Sequence, residues 1–598
     1  MEPKRIFDLL ENYRTKFSYK PDAIVAKEKG SWAKYSAGDY VSHSNYISYG
    51  LLAMGLKKGD KIATISNNRP EWNFFDMGMS QVGIVHVPIY PTISSEDYEY
   101  ILNHARPALV ILSDKALCDK ICPVAKRVDS VKEVYSFNEV EEIKHWKEIV
   151  DLGIKNAGKY KTELEKVKSS IKDDEMATII YTSGTTGNPK GVMLSHKNIM
   201  SNVYSITQIF DFNDTHRTLS FLPISHVFER TINYYFQRVG ISIYYAENMG
   251  TITDNLKDVK PHVFIAVPRV LEKVYDKIIG KGKDLKGIKK QIFFWAVKLG
   301  AKYRFNNGNS RFYNLRLKLA RKLIFSKWSE ALGGQLEIVV AGGAALQPRL
   351  AIIFCAAGIP VVEGYGMTEA SPVIATNRPP DKNEVCVGTV GPAIPGVQVK
   401  IAEDGEILCK GDNVMMGYYN EPELTAEVVD SDGWLHTGDI GELIIGKFLK
   451  ITDRKKEMFK LSSGKYIAPQ TIENKLKESF FIEQAMVIGE NEKFASALIS
   501  PNFPFLHNWC SLHDVKYRDN PELIQHPKVV ARYQREVNEI NKQIGLTEQI
   551  KRFRLINEEW TPQTGELSPT LKLKRKYLTN KYKEIISEIY SVQKNGNL

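Results

Sequence analysis

The sequence predicts an α/β protein: a large, multi-subdomain N-terminal domain joined by a hinge to a small α+β C-terminal domain. Three observations carry this expectation. Through about the first three quarters of the chain, short β-branched runs bounded by Gly, Pro, Asn or Asp alternate with amphipathic stretches, the pattern of strands and helices around a largely parallel sheet. At 598 residues the chain is too long for one compact core. Near Ile451 its character changes: the polar run Asp453-Arg454-Lys455-Lys456-Glu457 separates two apolar segments, and a shorter α/β stretch ending in basic helices follows. The expected division is an N-terminal domain at 1–452, a hinge at 453–456 and a mobile C-terminal domain at 457–598.

The elements follow from local pattern. Residues 62–66, 85–89, 108–112 and 177–181 read as strands, each short and β-branched. Residues 40–54 and 96–104 read as helices, the second with Ser94 or Ser95 as its N-cap and Glu96 and Asp97 in the first turn. The uncharged segment 77–95 nearly has the length of a membrane span, but Ser80, Gln81, His86, Pro88 and Pro91 make it a helix end, a strand and a turn. The apolar run 350–362 is too short to span. Residues 1–20 are charged throughout and lack the apolar core of a signal peptide, and the Gly-Asn-Leu ending matches no retention or peroxisomal signal. Six cysteines form no disulfide scaffold, and Cys118 and Cys122 have no further ligand near enough for a zinc site. These features suit a cytoplasmic protein.

Composition excludes disorder, with 43% hydrophobic and 25% charged residues. The net charge of +11 suggests an anionic partner, but it is local. Residues 281–328 hold 14 Lys or Arg and one acid, Asp284, so the rest of the chain has 67 basic and 69 acidic residues, a net of −2. The same stretch is rich in aromatics, and Ile292, Trp295, Ala296 and Leu299 fall at helical spacing. That combination suits an anionic bilayer surface or single-stranded nucleic acid, or else helices that pack on their own domain and expose lysines.

The most informative segment is Tyr181-Thr182-Ser183-Gly184-Thr185-Thr186-Gly187-Asn188-Pro189-Lys190-Gly191, which follows a predicted strand. Its glycines let backbone N–H groups face an anion, its hydroxyls add donors and Lys190 adds a charge, so it suits a polyphosphate. It is not a Walker A loop, whose Gly-Lys is followed by Ser or Thr at fixed spacing. Five further segments follow in order: Leu222-Pro223-Ile224-Ser225-His226-Val227-Phe228-Glu229-Arg230; Gly364-Tyr365-Gly366-Met367-Thr368-Glu369, with Gly342-Gly343-Ala344 upstream; Trp434-Leu435-His436-Thr437-Gly438-Asp439; Asp453-Arg454-Lys455-Lys456 with Gly464-Lys465; and Pro569-Thr570-Leu571-Lys572-Leu573-Lys574.

Together these segments resemble the motifs of the acyl-adenylate-forming (AMP-binding) superfamily, from about residue 32 to 576. The wording is most similar to long-chain fatty acyl-CoA synthetases in Phe228-Glu229-Arg230, in Phe459-Lys460-Leu461-Ser462-Ser463-Gly464-Lys465-Tyr466-Ile467-Ala468-Pro469, and in the basic insertion at 312–320. The resemblance implies an ATP-dependent fatty acid–CoA ligase that forms acyl-AMP and pyrophosphate, then acyl-CoA and AMP. A fatty acyl-AMP ligase or acyl-carrier-protein synthetase is the alternative, and a non-catalytic relative would show damage in motifs that are intact here.

The resemblance also implies roles. Thr182, Ser183, Gly184, Thr185, Thr186, Gly187 and Lys190 would hold ATP phosphates, with Thr182 and Glu369 as ligands of Mg²⁺, which prefers oxygen. Gly343, Ala344, Gly364, Tyr365, Gly366 and Thr368 would hold adenine, Tyr365 by stacking, and Asp439 and Arg454 the ribose. His226 would stand near the substrate carboxylate, with the aromatics Phe228, Tyr234, Tyr235 and Phe236 as candidates for an acyl tunnel. Lys572, or Lys574 as the alternative, would bridge the α-phosphate and the carboxylate, although Leu571 stands where the family often has Gly. Asp453 and Lys456 would belong to the hinge, and Ser463, Gly464 and Lys465 would face CoA. The partners are then fatty acid, ATP and CoA and no nucleic acid, while for the insertion at 281–328 peripheral contact with an anionic membrane and packing on its own domain both stay open.

Overall fold

The structure, a computed structural model of the full chain, describes residues 2–182, 188–306, 308–379, 384–568 and 571–591. The chain divides into two compact units: Met1–Lys400 with Leu408–Thr437 and Ile445–Leu449, and Ile401–Ile407 with Gly438–Ile444 and Lys450–Leu598. The stretch 453–456 lies inside the second unit.

Two eight-stranded sheets organise the first unit. One runs, edge to edge, through Val373–Thr376, Val361–Gly366, Ile338–Ala341, Val263–Ala266, Arg217–Ser220, Ser242–Tyr245, Ile24–Glu28 and Ser31–Tyr35. Its inner pairs are parallel and its two edge pairs antiparallel. The other runs through Gly417–Tyr418, Lys190–Ser195, Met176–Thr182, Val85–Ile89, Lys61–Ile65, Leu109–Leu112, Glu133–Ser136 and Lys144–His145, antiparallel only around Lys190–Ser195. Parallel strands send their carboxyl ends to one side of a sheet, where α/β proteins place ligands. The candidate motifs follow such ends: 183–190 follows Met176–Thr182, 222–230 follows Arg217–Ser220, and 342–344 follows Ile338–Ala341.

The four expected strands all form, none displaced by more than one residue at either end. The helix expected from 40 begins at Ala37, because Ser36 and Asp39 make a capping box: Ser36 Oγ accepts from Asp39 N (3.1 Å) and the Asp39 carboxylate accepts from Ser36 N (2.9 Å). Ser94, not Ser95, caps the helix Ser95–Ala105. Segment 77–95 divides as expected, into the end of helix Pro70–Val82, the left-handed Gly83 and the strand Val85–Ile89. Among the described residues, no helix is long and apolar enough to cross a membrane.

The second unit carries a three-stranded sheet of Ile482–Ile488, Ser496–Pro501 and Arg552–Leu555, antiparallel then parallel. Helices Pro469–Leu476 and Pro527–Asn541 bury Ile472, Leu476, Val529, Tyr533 and Val537 in a common core with it. This is the expected small α+β arrangement.

Candidate active site

In the first unit the sequence-distant motifs are joined by buried side chains. His226 is the N-cap of the helix Val227–Val239, its Nδ1 accepting from Phe228 N at 3.1 Å. A neutral ring bonded in this way carries its proton on Nε2. The turn before it is held by Asn68, which follows strand Lys61–Ile65 of the other sheet. Asn68 Nδ2 donates to Leu222 O (2.6 Å) and Ser220 Oγ (3.2 Å), and its Oδ1 accepts from Ile224 N (2.8 Å). Phe228 lies against the next motif: a Cβ on Gly342 would fall 2.9 Å from the Phe228 ring, so only glycine permits the contact.

The helix behind His226 is fixed by a buried ionic cluster. Arg230 donates to Asp76 Oδ1 and Thr178 Oγ1 (2.8 Å), and Tyr234 and His86 donate to Asp76 at 2.6 and 2.7 Å. The Arg230 guanidinium and these hydrogen bonds outweigh burial and hold the Asp76 carboxyl down at about 2, while burial beside Arg230 lowers His86 to about 4. Tyr234, Tyr235 and Phe236 are therefore core: all three are buried, and the two tyrosine hydroxyls donate to Asp76 and to Phe210 O. Their expected place in an acyl tunnel gives way to packing, and Phe228 alone of the four is half-buried at the Gly342 loop.

Glu369 is buried in the turn after Val361–Gly366. Its Oε1 accepts from Tyr418 OH at 2.9 Å, and Lys190 lies over the Tyr418 ring at 5.1 Å. Tyr418 thus links the lysine of the phosphate loop to the candidate metal ligand, through the pairing of Gly417–Tyr418 with Met193 and Val192. Asn202 and Asn413 secure the turn, both donating to Ala370 O and Val373 O. Gly343 and Ala344 are exposed at their loop, and Gly364, Tyr365, Gly366 and Thr368 line the end of the adjacent strand. Glu363, one residue before Gly364, binds Leu346 N at 2.8 Å, and burial pushes its carboxyl up to about 8. Ser183, Gly184, Thr185, Thr186 and Gly187 lie outside the described residues. Thr182 and Lys190 close the flanking strands at either end of that loop.

In the second unit, Asp439 and Arg454 pair at 3.4 Å, so the two residues expected at one ribose are brought together. Asp453 is fully buried; its carboxylate accepts from Arg454 N (2.6 Å) and Gln470 N (3.1 Å), and burial raises it to about 7. Lys455 pairs with Asp404 and Glu406 (2.6 and 2.9 Å), leaving Lys456 exposed in the turn. Ser463, Gly464 and Lys465 form the exposed tip of the hairpin Phe459–Lys460/Tyr466–Ile467, where Gly464 takes φ +81°.

Lys572 lies on an exposed loop closed by Ser568 N→Lys572 O (2.7 Å) and Lys572 N→Ser568 Oγ (3.1 Å). Leu571 has φ +63°, the left-handed region that favours glycine. This accounts for glycine being frequent there in the family pattern. Here the conformation, which costs an L-residue about 1–2 kcal/mol, is offset by packing of Leu571 and Leu573 against the core of Met486, Leu498 and Trp560. Lys574 instead begins the helix Arg575–Lys581, where Arg575 pairs with Glu457 and Glu473 at 2.9 and 2.6 Å.

Tyr418, Asn68, Asp76 and Glu363 escaped the motif reading. Only a Gly-Tyr pair at 417–418 hinted at the first.

The AMP-binding enzyme family model matches residues 14–419, and that of the AMP-binding enzyme C-terminal domain matches 456–594. The chain belongs to the AMP-binding enzyme family. This AMP-binding enzyme is 29% identical to a long-chain-fatty-acid–CoA ligase of Mycobacterium bovis, over 96% of its own chain and 95% of that protein. It is 32% identical to long-chain-fatty-acid–CoA ligase 1 of Homo sapiens, over 96% and 84% of the two chains. Among solved structures, the adenylation domain of a carboxylate reductase from Mycobacterium chelonae superposes with a TM-score of 0.74 at 20% identity, covering 98% of this chain and 91% of that one. At that identity the likeness is one of fold.

Proposed function

We propose that this protein is an ATP-dependent long-chain fatty acid–CoA ligase. The observation that carries the reading is that similarity to relatives named for that activity runs through nearly the whole chain, both units included. A fatty acid carboxylate attacks the α-phosphorus of ATP, pyrophosphate leaves, and the acyl-adenylate forms. The CoA sulfur then attacks the acyl carbon and AMP leaves. Such chemistry depends on positioning and charge neutralisation.

The residues divide that work. Loop 182–190 holds the β- and γ-phosphates, with Lys190 as its cation. Thr182, at the end of its strand, and Glu369, a buried carboxylate with Oε1 held by Tyr418, offer the hard oxygen donors that Mg²⁺ takes and would hold it together with substrate phosphates. When bound, that ion neutralises phosphate charge. Tyr418 orients Glu369 by its hydrogen bond. His226 presents Nε2–H toward the substrate carboxylate. Gly343, Ala344, Gly364, Tyr365, Gly366 and Thr368 seat adenine, and Asp439 with Arg454 the ribose. Lys572 reaches the reacting phosphate and carboxylate during adenylation and withdraws for thiolation. The pivot is at 453–456, which brings Ser463, Gly464 and Lys465 to the CoA path. The protein works in the cytoplasm, with peripheral contact to an anionic membrane through the insertion at 281–328.

Incubation with ATP, Mg²⁺, CoA and saturated acids from acetate to arachidate tests this. The expected products are long-chain acyl-CoA and AMP in equal amounts. Reaction of short or aromatic acids alone, or accumulation of acyl-AMP with CoA unused, overturns it.

A further inference from the structure

The basic insertion contains a surface that its sequence conceals. Phe293, Ala296 and Leu299 of helix Gly287–Gly300 are buried, and Trp295 is half-buried, so the face that looked amphipathic turns into its own domain. Ile288 stands exposed by itself at the start of that helix, and the extended exposed apolar surface lies on the next helical run, Arg311–Ala320, Arg321–Phe325 and Ser326–Ala331. There Phe312, Leu315, Leu319 and Leu323 are 70%, 67%, 50% and 44% exposed. At about 3.6 residues per turn these four form one stripe about 16 Å long.

The stripe is held outward. Leu317, Ala320, Phe325 and Trp328 bury the opposite face. Tyr313 OH donates to Leu299 O (2.9 Å), and Arg321 donates to Ala356 O (2.8 Å) and Cys355 O (3.2 Å), so the run is fixed in rotation. By helical angle Arg311, Lys318 and Lys322 border one side of the stripe and Arg316 and Lys327 the other, all of them exposed.

We propose that this stripe is the bilayer-docking surface of the protein. The run lies in the plane of an anionic membrane, with its four apolar side chains among the acyl chains and the flanking cations at headgroup phosphates. This rests on the reading of peripheral membrane contact given above, and adds the surface that makes it. Charge complementarity selects the occupant. A second copy docking here would set the five cations that flank the stripe against the same five, which repels. A nucleic acid would satisfy the cations and leave three leucines in water.

Co-sedimentation of the full chain with vesicles tests it, using phosphatidylcholine alone or mixed with phosphatidylglycerol at low salt. Wild type is expected to bind the anionic vesicles. The triple variant Leu315→Gln, Leu319→Gln, Leu323→Gln is expected to partition at least about tenfold more weakly. Lys318→Glu with Lys322→Glu should lose the preference for anionic over neutral vesicles. Far-UV circular dichroism, and thioester formation from a short, soluble acyl chain, check that each variant is folded. If wild type and the leucine variant bind equally, membrane contact stands and this surface is wrong. If wild type binds no vesicle, both ideas fall. Equal preference in the charge variant removes the electrostatic half. Light scattering that shows a wild-type dimer, lost in the leucine variant and without vesicle binding, assigns the stripe to self-association and overturns the proposal.

Discussion

Tyr418 shows how one hydroxyl can tie a site together. It donates to a buried carboxylate oxygen of Glu369 while its ring faces Lys190. Removing a donor from a buried charged acceptor costs about 1–3 kcal/mol. Tyr418→Phe should therefore slow ATP–pyrophosphate exchange by roughly tenfold to a hundredfold, with unchanged thiolysis of supplied acyl-AMP. Exchange at the wild-type rate removes Tyr418 from the site. Lys572→Ala should depress acyl-AMP formation far more than thiolysis, because the role proposed for the lysine belongs to the first step alone. Equal losses in the two steps, measured separately, would point to Lys574 or to a structural role.

At the scale of elements, the helix Val227–Val239 and the turn before it carry His226 on two anchors, Asn68 at the front and the Asp76–Arg230 cluster behind. Both anchors come from segments remote in sequence, so two sheets are tied at the point where the substrate carboxylate would lie. The end of the strand Phe448–Arg454 and the turn that follows it are built differently. Asp453 is clamped by two backbone N–H groups, Lys455 by two carboxylates, and Lys456 is exposed in the turn between them and the hairpin. Proline fixes φ and removes the N–H. Lys456→Pro is expected to impair thiolation more than adenylation; a variant equal to wild type in both steps discards the pivot.

At the scale of the whole molecule, burial opposes itself across pH. Glu229 and Glu363 rise from 4.5 to about 8, and His86 and His196 fall from 6.5 to about 4, burial being the first cause in all four. Each glutamate keeps a proton that the unfolded chain has released, so it lowers stability as pH rises from 4.5 through 8. Each histidine refuses a proton that the unfolded chain takes up, so its contribution is complete above 6.5 and is lost as pH falls toward 4. The pairs offset one another between 4.5 and 6.5, Asp453, raised by burial from 3.8 to about 7, adds to the loss up to that point, and of these five groups only the glutamates act from 7 to 8. Stability should then fall by about 1.4 kcal/mol per pH unit for each glutamate. Thermal melts across that interval check it: Glu229→Gln should halve the slope, and a flat profile in wild type rejects the assignment.

The sequence by itself determined the α/β class, the four leading strands, the order of the motifs and the glycines, hydroxyls and single charges that suit a nucleotide. These are legible because local chemistry carries them: a β-branched run, an N-cap, or a glycine loop signals itself within a few residues. The tertiary structure decided what depends on which face a side chain turns, and on neighbours from tens to more than a hundred residues away. It put Tyr234, Tyr235 and Phe236 in the core, Tyr418 against Glu369, and Asn68 under the His226 turn. It turned the helix holding Trp295 inward and the stripe of Phe312, Leu315, Leu319 and Leu323 outward. Helical spacing marks an apolar face but not whether protein or solvent covers it, and that is set only when the whole chain packs.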